Sequence, residues 1–251
     1  MKALITGASS GIGRDMAKYL SSLGYDLILV ARNKEALEEL QDELPTKVKA
    51  IVMDLAVESN VKSLYVICKN ENIDVLINNA GFGLCGNFVE TDINRELEMI
   101  DVDIRAVHIL TKMFLKDMKK RNSGYILNVA SAAAFAPGPL MATYYSCKAY
   151  VYRLTEAIVF ELKKAKSKVS ISCLCPGPVD TNFDQVANVQ FSIKGLKGED
   201  VAKYAIDQML KGKLIIIPGF KMKCAKFFSH FVTENFMMKV TYRTQRKKLK
   251  R

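Results

Sequence analysis

Histidine is almost missing from this chain. His108 and His230 are the only two in 251 residues, and neither has a second ligand at helical spacing, which argues against a zinc site. Paired cysteines are missing too. Cys68, Cys85, Cys147, Cys173, Cys175 and Cys224 lie scattered, without the spacing of a disulfide framework, so free thiols in a reducing compartment are the expectation. Cys173-Leu174-Cys175 looks like half a metal motif, but it falls in the alternating run Val169 to Cys175, where i and i+2 share a strand face, and reads as small core residues. No stretch approaches the ~18 uninterrupted apolar residues of a membrane span, and Met1-Lys2-Ala3-Leu4-Ile5-Thr6-Gly7 enters a strand and a glycine turn instead of a cleavable signal. A cytoplasmic protein is expected. Acid is scarce at one end: from Lys221 to Arg251 ten Lys/Arg stand against a single carboxylate, Glu234, so most of the net charge of +11 sits in that tail.

What is present is a steady alternation of apolar runs with amphipathic stretches, without internal repeat or linker. Strands are read at Lys2 to Thr6, Asp26 to Ala31, Lys47 to Val52, Ile73 to Asn78, Gly124 to Ala130, Val169 to Cys175 and Leu214 to Ile217. Helices are read at about Ile12 to Leu23, Lys34 to Leu44, Val57 to Asn70, Ile93 to Lys120, Tyr144 to Lys166 and Gly198 to Lys211. That order, with right-handed crossovers, predicts an α/β class, a Rossmann-like doubly wound parallel sheet of seven strands with helices on both faces. Residues 1–220 are expected to form this sheet domain, and residues 221–251 a basic amphipathic extension that is not an independent domain.

The loop Thr6-Gly7-Ala8-Ser9-Ser10-Gly11-Ile12-Gly13 joins the first strand to the first helix. Gly7 can make the turn, and Gly11 and Gly13 let backbone approach a pyrophosphate held at the helix N-terminus, although the spacing differs from G-x-G-x-x-G. Strand two ends Ala31-Arg32-Asn33, about twenty residues on, where an NAD site would carry an acid for the ribose 2′-hydroxyl. Arg32 instead offers a charged fork for a 2′-phosphate, with Ser9, Ser10 and Arg14 as helpers, which favours NADP over NAD. A solvated loop cation is the plainer reading of Arg32. Tyr144 and Lys148 lie one helical turn apart on one face. Free tyrosine titrates near 10, and bringing it to about 7 takes roughly 4 kcal/mol of phenolate stabilisation, which a neighbouring ammonium can supply in a dry cleft. Packing is the alternative for a helix that also carries Tyr145, Tyr150 and Tyr152, but only Tyr144 has a lysine four positions on.

These motifs, together with Asp54 after strand three, Asn78-Asn79-Ala80-Gly81 after strand four, Ser131 after strand five and Pro176-Gly177-Pro178-Val179-Asp180-Thr181 after strand six, resemble the Tyr/Lys-dependent short-chain dehydrogenase/reductase family from end to end. Asn128 to Phe135 and the basic extension are similar to a bacterial branch described mostly as general reductases. The resemblance implies a cofactor set of Gly7, Ser9, Ser10, Gly11, Ile12, Gly13, Arg32, Asp54, Leu55, Asn79, Ala80, Gly81, Tyr144, Lys148, Pro176, Gly177, Val179 and Thr181. Within it Asp54 would accept from the adenine amino group, Asn79 to Gly81 would line the ribose side, Lys148 would hold the nicotinamide ribose and depress Tyr144, and Val179 and Thr181 would meet the nicotinamide amide. Ser131, Tyr144, Lys148 and Asp103 form the implied catalytic set, with Ser131 holding the substrate oxygen; a turn cap is its plainer reading. Asp103 stands where the family usually has asparagine on a proton-relaying water. Its charge would raise Lys148 and weaken the pull on Tyr144, giving a working enzyme with a shifted pH profile.

The expected activity is NADPH-dependent reduction of an apolar ketone or aldehyde, or oxidation of a secondary alcohol, in a homodimer or homotetramer without metal or nucleic acid. A non-catalytic NADP-binding sensor or scaffold, and an atypical dehydratase or epimerase, are the rivals. Phe82, Leu84, Phe88, Phe135, Met141, Phe183, Val186, Val189 and Phe191 read as either pocket or core. Cys147 reads as packing before redox control. The extension, with Phe227, Phe228, Phe231, Phe236, Met237 and Met238, suits packing over the cleft or a partner subunit, or peripheral contact with an anionic membrane.

Overall fold

The computed structural model describes residues 1–181, 195–229 and 231–247. Seven parallel strands, β1 (Lys2–Thr6), β2 (Asp26–Ala31), β3 (Val48–Val52), β4 (Val75–Asn78), β5 (Tyr125–Val129), β6 (Ser170–Leu174) and β9 (Ile215–Ile216), run in the order β3-β2-β1-β4-β5-β6-β9. The order reverses between β1 and β4, so their carboxyl ends flank the crevice where doubly wound sheets bind ligands. Strands covered on both faces need continuous apolar runs, not alternation. Accordingly β4 is buried throughout and β2 from Leu27 to Ala31.

Helices cover both faces. Met16 and Leu20 of α1 (Gly11–Ser22), Leu37 and Leu40 of α2 (Lys34–Glu43), and Ile206 and Met209 of α7 (Gly198–Leu210) pack on one side. Leu64 of α3 (Glu58–Cys68), Leu110 and Phe114 of α5 (Val107–Arg121), and Leu162 of α6 (Ala142–Lys164) pack on the other. A buried polar ladder fixes α5 and α6 to the central strands. Asn78 Nδ2 donates to Thr111 Oγ1 at 3.0 Å and to Asn128 Oδ1 at 2.8 Å, and Asn128 Nδ2 donates to Thr155 Oγ1 at 3.0 Å.

The single helix expected from Ile93 to Lys120 is three pieces: α4 (Ile93–Ile100), a π-helical turn Asp101–Ala106, and α5. The wider turn carries Asp103 inward to a fully buried position. Ser131 opens a 3₁₀ turn, Ala132–Phe135. A small parallel pair, β7 (Val179–Asp180) with β8 (Leu196–Lys197), lies outside the main sheet. Phe183, Val186, Val189 and Phe191, read as either pocket or core, lie outside the described residues, as do His230 and the last four residues. The chain then forms α8 (Phe220–Ser229) and α9 (Glu234–Arg246), the latter capped where Thr233 Oγ1 accepts from the Phe236 amide.

Candidate active site

At the carboxyl edge the glycine loop is held from below. Thr6 Oγ1 accepts from the amides of Asn79 and Ala80 at 3.0 and 3.1 Å. Asn79 Nδ2 donates to the carbonyls of Thr6 and Gly7 at 3.0 and 3.1 Å. Asn79 therefore braces the loop itself. Gly7 adopts φ +66°, and a Cβ there would stand 2.8 Å from Ala80 Cα. A Cβ at Gly13 would lie 2.3 Å from the Gly7 carbonyl oxygen, so this glycine lets α1 close onto the loop. Ser10 precedes α1 in extended geometry with no side-chain cap. The positive end of the α1 dipole meets the cavity that Ser10, Gly11 and Ile12 line.

One cavity of about 870 Å³ runs from this loop to the proposed proton donor, a size that suits a bound cofactor and a small substrate. Gly7, Ser9, Ser10, Gly11, Ile12, Arg32, Asp54, Leu55, Asn79, Ala80, Gly81, Ser131, Tyr144, Lys148, Pro176, Gly177, Val179 and Thr181 all border it, with Gly81 beside Lys148 and Asp103 and Thr181 beside Gly11. Gly13 and Asp103 stand behind the wall. Arg32 is on the cavity and pairs with Glu98 at 2.8 Å. Arg14, expected to assist it, is turned to Glu43 at 3.2 Å and takes no part in the lining. Asp54 Oδ1 accepts from the Ala56 amide at 2.9 Å, which fixes the turn after β3.

At the other end Lys148 Nζ lies 5.7 Å from the centre of the Tyr144 ring. It donates to Asp103 Oδ1 at 2.9 Å and to the Val129 carbonyl at 3.2 Å. Asp103 Oδ2 accepts from the Phe82 amide at 3.4 Å, and a Cβ at Gly81 would fall 2.0 Å from Oδ1, so Gly81 makes room for the carboxylate. Ser131 caps the turn that it opens and reaches Tyr144. Its Oγ accepts from the Ala133 amide at 3.1 Å, and its hydroxyl is hydrogen-bonded to Tyr144.

Electrostatics here correct one expectation. Burial pushes the Tyr144 phenol above the ordinary tyrosine value, against the downward pull of Lys148 and the Ser131 hydrogen bond, while Asp103 and Cys147 add to the rise. The depression toward neutrality expected from Lys148 alone is not what this arrangement produces, because the site is dry and Asp103 offsets the ammonium. Burial alone would lower Lys148, but Asp103 and Tyr144 outweigh it and hold the ammonium above the usual lysine value. Burial likewise raises the Asp103 carboxyl, against Lys148 and the Phe82 amide.

Of the apolar residues expected near the substrate, Phe82, Phe135 and Met141 border the cavity. Leu84 and Phe88 do not: both line a separate small recess, and Phe88 is largely exposed. Tyr145, for which the sequence indicated no role of its own, lines the cavity and accepts from Gln245 Nε2 through its hydroxyl. The extension supplies much of the remaining wall. Met222, Ala225 and Lys226 of α8 and Met237, Val240 and Thr241 of α9 face inward, and Thr241 Oγ1 donates to the Pro137 carbonyl at 3.0 Å. The repeat i, i+3, i+4 in both helices was the available signal. Cys147 is buried off the cavity, its thiol pushed up to about 12 by burial, as a packing residue would be. Cys173 and Cys175 are buried with their Sγ atoms 3.8 Å apart. Among the described residues no group of three or more His, Cys, Asp or Glu could hold a metal ion, and no helix is long and apolar enough to cross a membrane.

Comparison with known proteins agrees with this geometry. A profile of the short chain dehydrogenase family matches residues 1–190. An uncharacterized oxidoreductase of Staphylococcus epidermidis is 35% identical over 181 residues, 71% of this chain and 78% of its own. Another, from Staphylococcus aureus, is 31% identical over 212 residues, 82% of this chain and 90% of its own. A short-chain dehydrogenase from Sphingobium yanoikuyae, solved in complex with NADPH, superposes with a TM-score of 0.83 at 26% identity, covering 94% of both chains. A short chain dehydrogenase/reductase from Burkholderia phymatum, solved with NAD, gives 0.83 at 25% identity and 92% of both. Sheet order, site and relatives converge, and this chain belongs to the short-chain dehydrogenase/reductase family as a short-chain oxidoreductase.

Proposed function

We propose that this oxidoreductase is an NADPH-dependent carbonyl reductase, reversible as an alcohol dehydrogenase, acting on an apolar ketone, aldehyde or secondary alcohol. The observation that carries the reading is a continuous cavity with a braced glycine loop and Arg32 at one end and the Ser131, Tyr144 and Lys148 side chains at the other. The glycine cradle, the dipole of α1 and the absence of an acid after β2 fit a dinucleotide with a 2′-phosphate, which Arg32 would hold as a planar fork. Ser9 and Ser10 would assist it, Asp54 and Leu55 would border the adenine, and Val179 and Thr181 the nicotinamide end. When bound, the nicotinamide supplies hydride to the carbonyl carbon.

The chain's own groups manage the proton. Tyr144, protonated at neutral pH because burial raises it, gives its proton to the substrate oxygen as charge develops there, and the Ser131 hydroxyl donates to the same oxygen. Lys148, kept charged by Asp103, stabilises the phenolate left behind. Phe82, Phe135, Met141 and the inner faces of α8 and α9 exclude water and favour an apolar substrate. A sensor or scaffold would not require this proton-donating set. Five buried free thiols fit a reducing compartment, and hence the cytoplasm. The exposed Ile93, Leu97 and Phe160, away from the cavity, offer apolar surface for a homodimer or homotetramer. An NADPH-oxidation screen over aliphatic ketones, aldehydes, steroids and β-keto esters, repeated with NADH, tests the reading. Turnover of an apolar carbonyl with NADPH preferred supports it, and silence across the panel rejects it.

A further inference from the structure

The two C-terminal helices are two-faced. In α8 the cavity takes Met222, Ala225, Lys226 and Ser229, which follow i, i+3, i+4, i+7 along one side, and in α9 it takes Met237, Val240, Thr241, Arg243, Thr244 and Gln245. The opposite sides have no such cover. Phe220, Phe227, Phe228, Phe231 and Phe236 are all between 55% and 79% exposed. Three of them form a cluster in the open, with the ring centre of Phe227 5.6 Å from that of Phe228 and 5.2 Å from that of Phe231. Exposed Lys221 and Lys223 flank the aromatic stripe of α8, and exposed Lys239, Tyr242 and Arg246 make up the outer side of α9.

We propose that this outer face of α8 and α9 docks on an anionic lipid bilayer, with the phenylalanine rings in the interfacial region and the lysines and arginines on the headgroups. Clustered exposed rings cost free energy in water and mark a contact surface. An apolar stripe edged by long cationic side chains is the pattern of a helix lying in a membrane interface, where stems bury and charged ends reach the phosphates. Charge complementarity selects this occupant. A second copy would bring an equally cationic face against this one and be repelled, whereas an anionic leaflet attracts it. Because the same helices wall the cavity, docking sets its apolar side against the lipid phase. Delivery of an apolar carbonyl compound by that route rests on the reductase reading; the docking itself does not.

The test is flotation of the full chain with vesicles of phosphatidylcholine containing one-third phosphatidylglycerol, against pure phosphatidylcholine. Parent protein is expected to float with the anionic vesicles, to be released by rising salt, and to remain soluble with the neutral ones. Lys223→Gln, Lys239→Gln and Arg246→Gln should each weaken partitioning by about fivefold. The F227S/F228S/F231S variant should lose flotation while keeping the parent's melting temperature, since none of these rings lies in the core or the cavity. Failure of the parent to float with anionic vesicles overturns the proposal, as does equal flotation of the triple variant. A parent that is dimeric in light scattering, monomeric once the three rings are removed, and unbound by vesicles would make this face a self-association surface instead. Flotation without any carbonyl turnover would leave docking standing and reject the reductase reading alone.

Discussion

Asp103 is the residue through which this site departs most from a simple tyrosine and lysine pair. Its carboxylate, fully buried at 2.9 Å from Lys148 Nζ, opposes the stabilisation that Lys148 gives a phenolate. In the proposed mechanism Tyr144 is the base for alcohol oxidation, so the rate should rise with pH through the Tyr144 titration. Asp103→Asn removes a group that raises Tyr144, and the acidic limb of the oxidation profile should move to lower pH while the protein keeps its fold. The pH dependence of kcat/KM for a secondary alcohol checks this, and overlaying profiles would show that the carboxylate does not set the limb. A second residue matters at the far end of the cavity. Glu98 holds Arg32 at 2.8 Å and also binds Arg95, so a 2′-phosphate held by Arg32, as proposed, would compete with it. Glu98→Gln should tighten NADPH by up to about fivefold, the scale of one exposed ion pair, and leave NADH unchanged. Fluorescence titration of both dinucleotides reads the ratio; an unaltered preference would remove Glu98 and Arg32 from the phosphate end.

Among the elements, those made by simple periodicity were the most legible. The runs that became β1, β2 and β5 are largely apolar stretches between turn residues, the run that became β6 alternates, and the parallel order follows from interleaving them with helices. The π-helical turn Asp101–Ala106 could not be read that way, because its extra residue leaves the amphipathic pattern on either side nearly intact and only the burial of Asp103 reveals it. The two-faced extension was half legible. Its aromatics and cations stood out, but which side met the cavity depended on α8 and α9 folding back over residues far earlier in the chain, as Thr241 does on Pro137. The polar ladder under the site is likewise a product of tertiary pairing. Thr155→Val leaves Asn128 Nδ2 without its 3.0 Å partner, at a cost of about 1–3 kcal/mol. Its melting temperature should fall by roughly 2–4 °C per kcal/mol, with NADPH binding retained, as calorimetry would show. An unchanged midpoint would mean that water replaces the hydroxyl.

For the molecule as a whole, the sheet places the glycine loop, Tyr144 and the helical wall around one cavity, so separate loops meet there. The family resemblance grouped Tyr144, Ser131 and Lys148, whereas the direction of the Tyr144 shift depended on dryness and on Asp103, which only the packed structure brings together. The charge asymmetry also acquires a place: Lys221, Lys223, Lys239 and Arg246 are exposed on the helices that wall the cavity, while Lys226, Arg243 and Lys247 line it. The decisive measurement is NADPH consumption with a ketone panel by the parent and by Tyr144→Phe, with NADPH affinity determined for both. The parent should turn over an apolar ketone, and the variant should bind NADPH as the parent does but lose about 10²- to 10⁴-fold in kcat. Equal turnover by the two proteins, or a parent that binds neither NADPH nor NADH, would contradict proton donation by Tyr144 beside a bound dinucleotide.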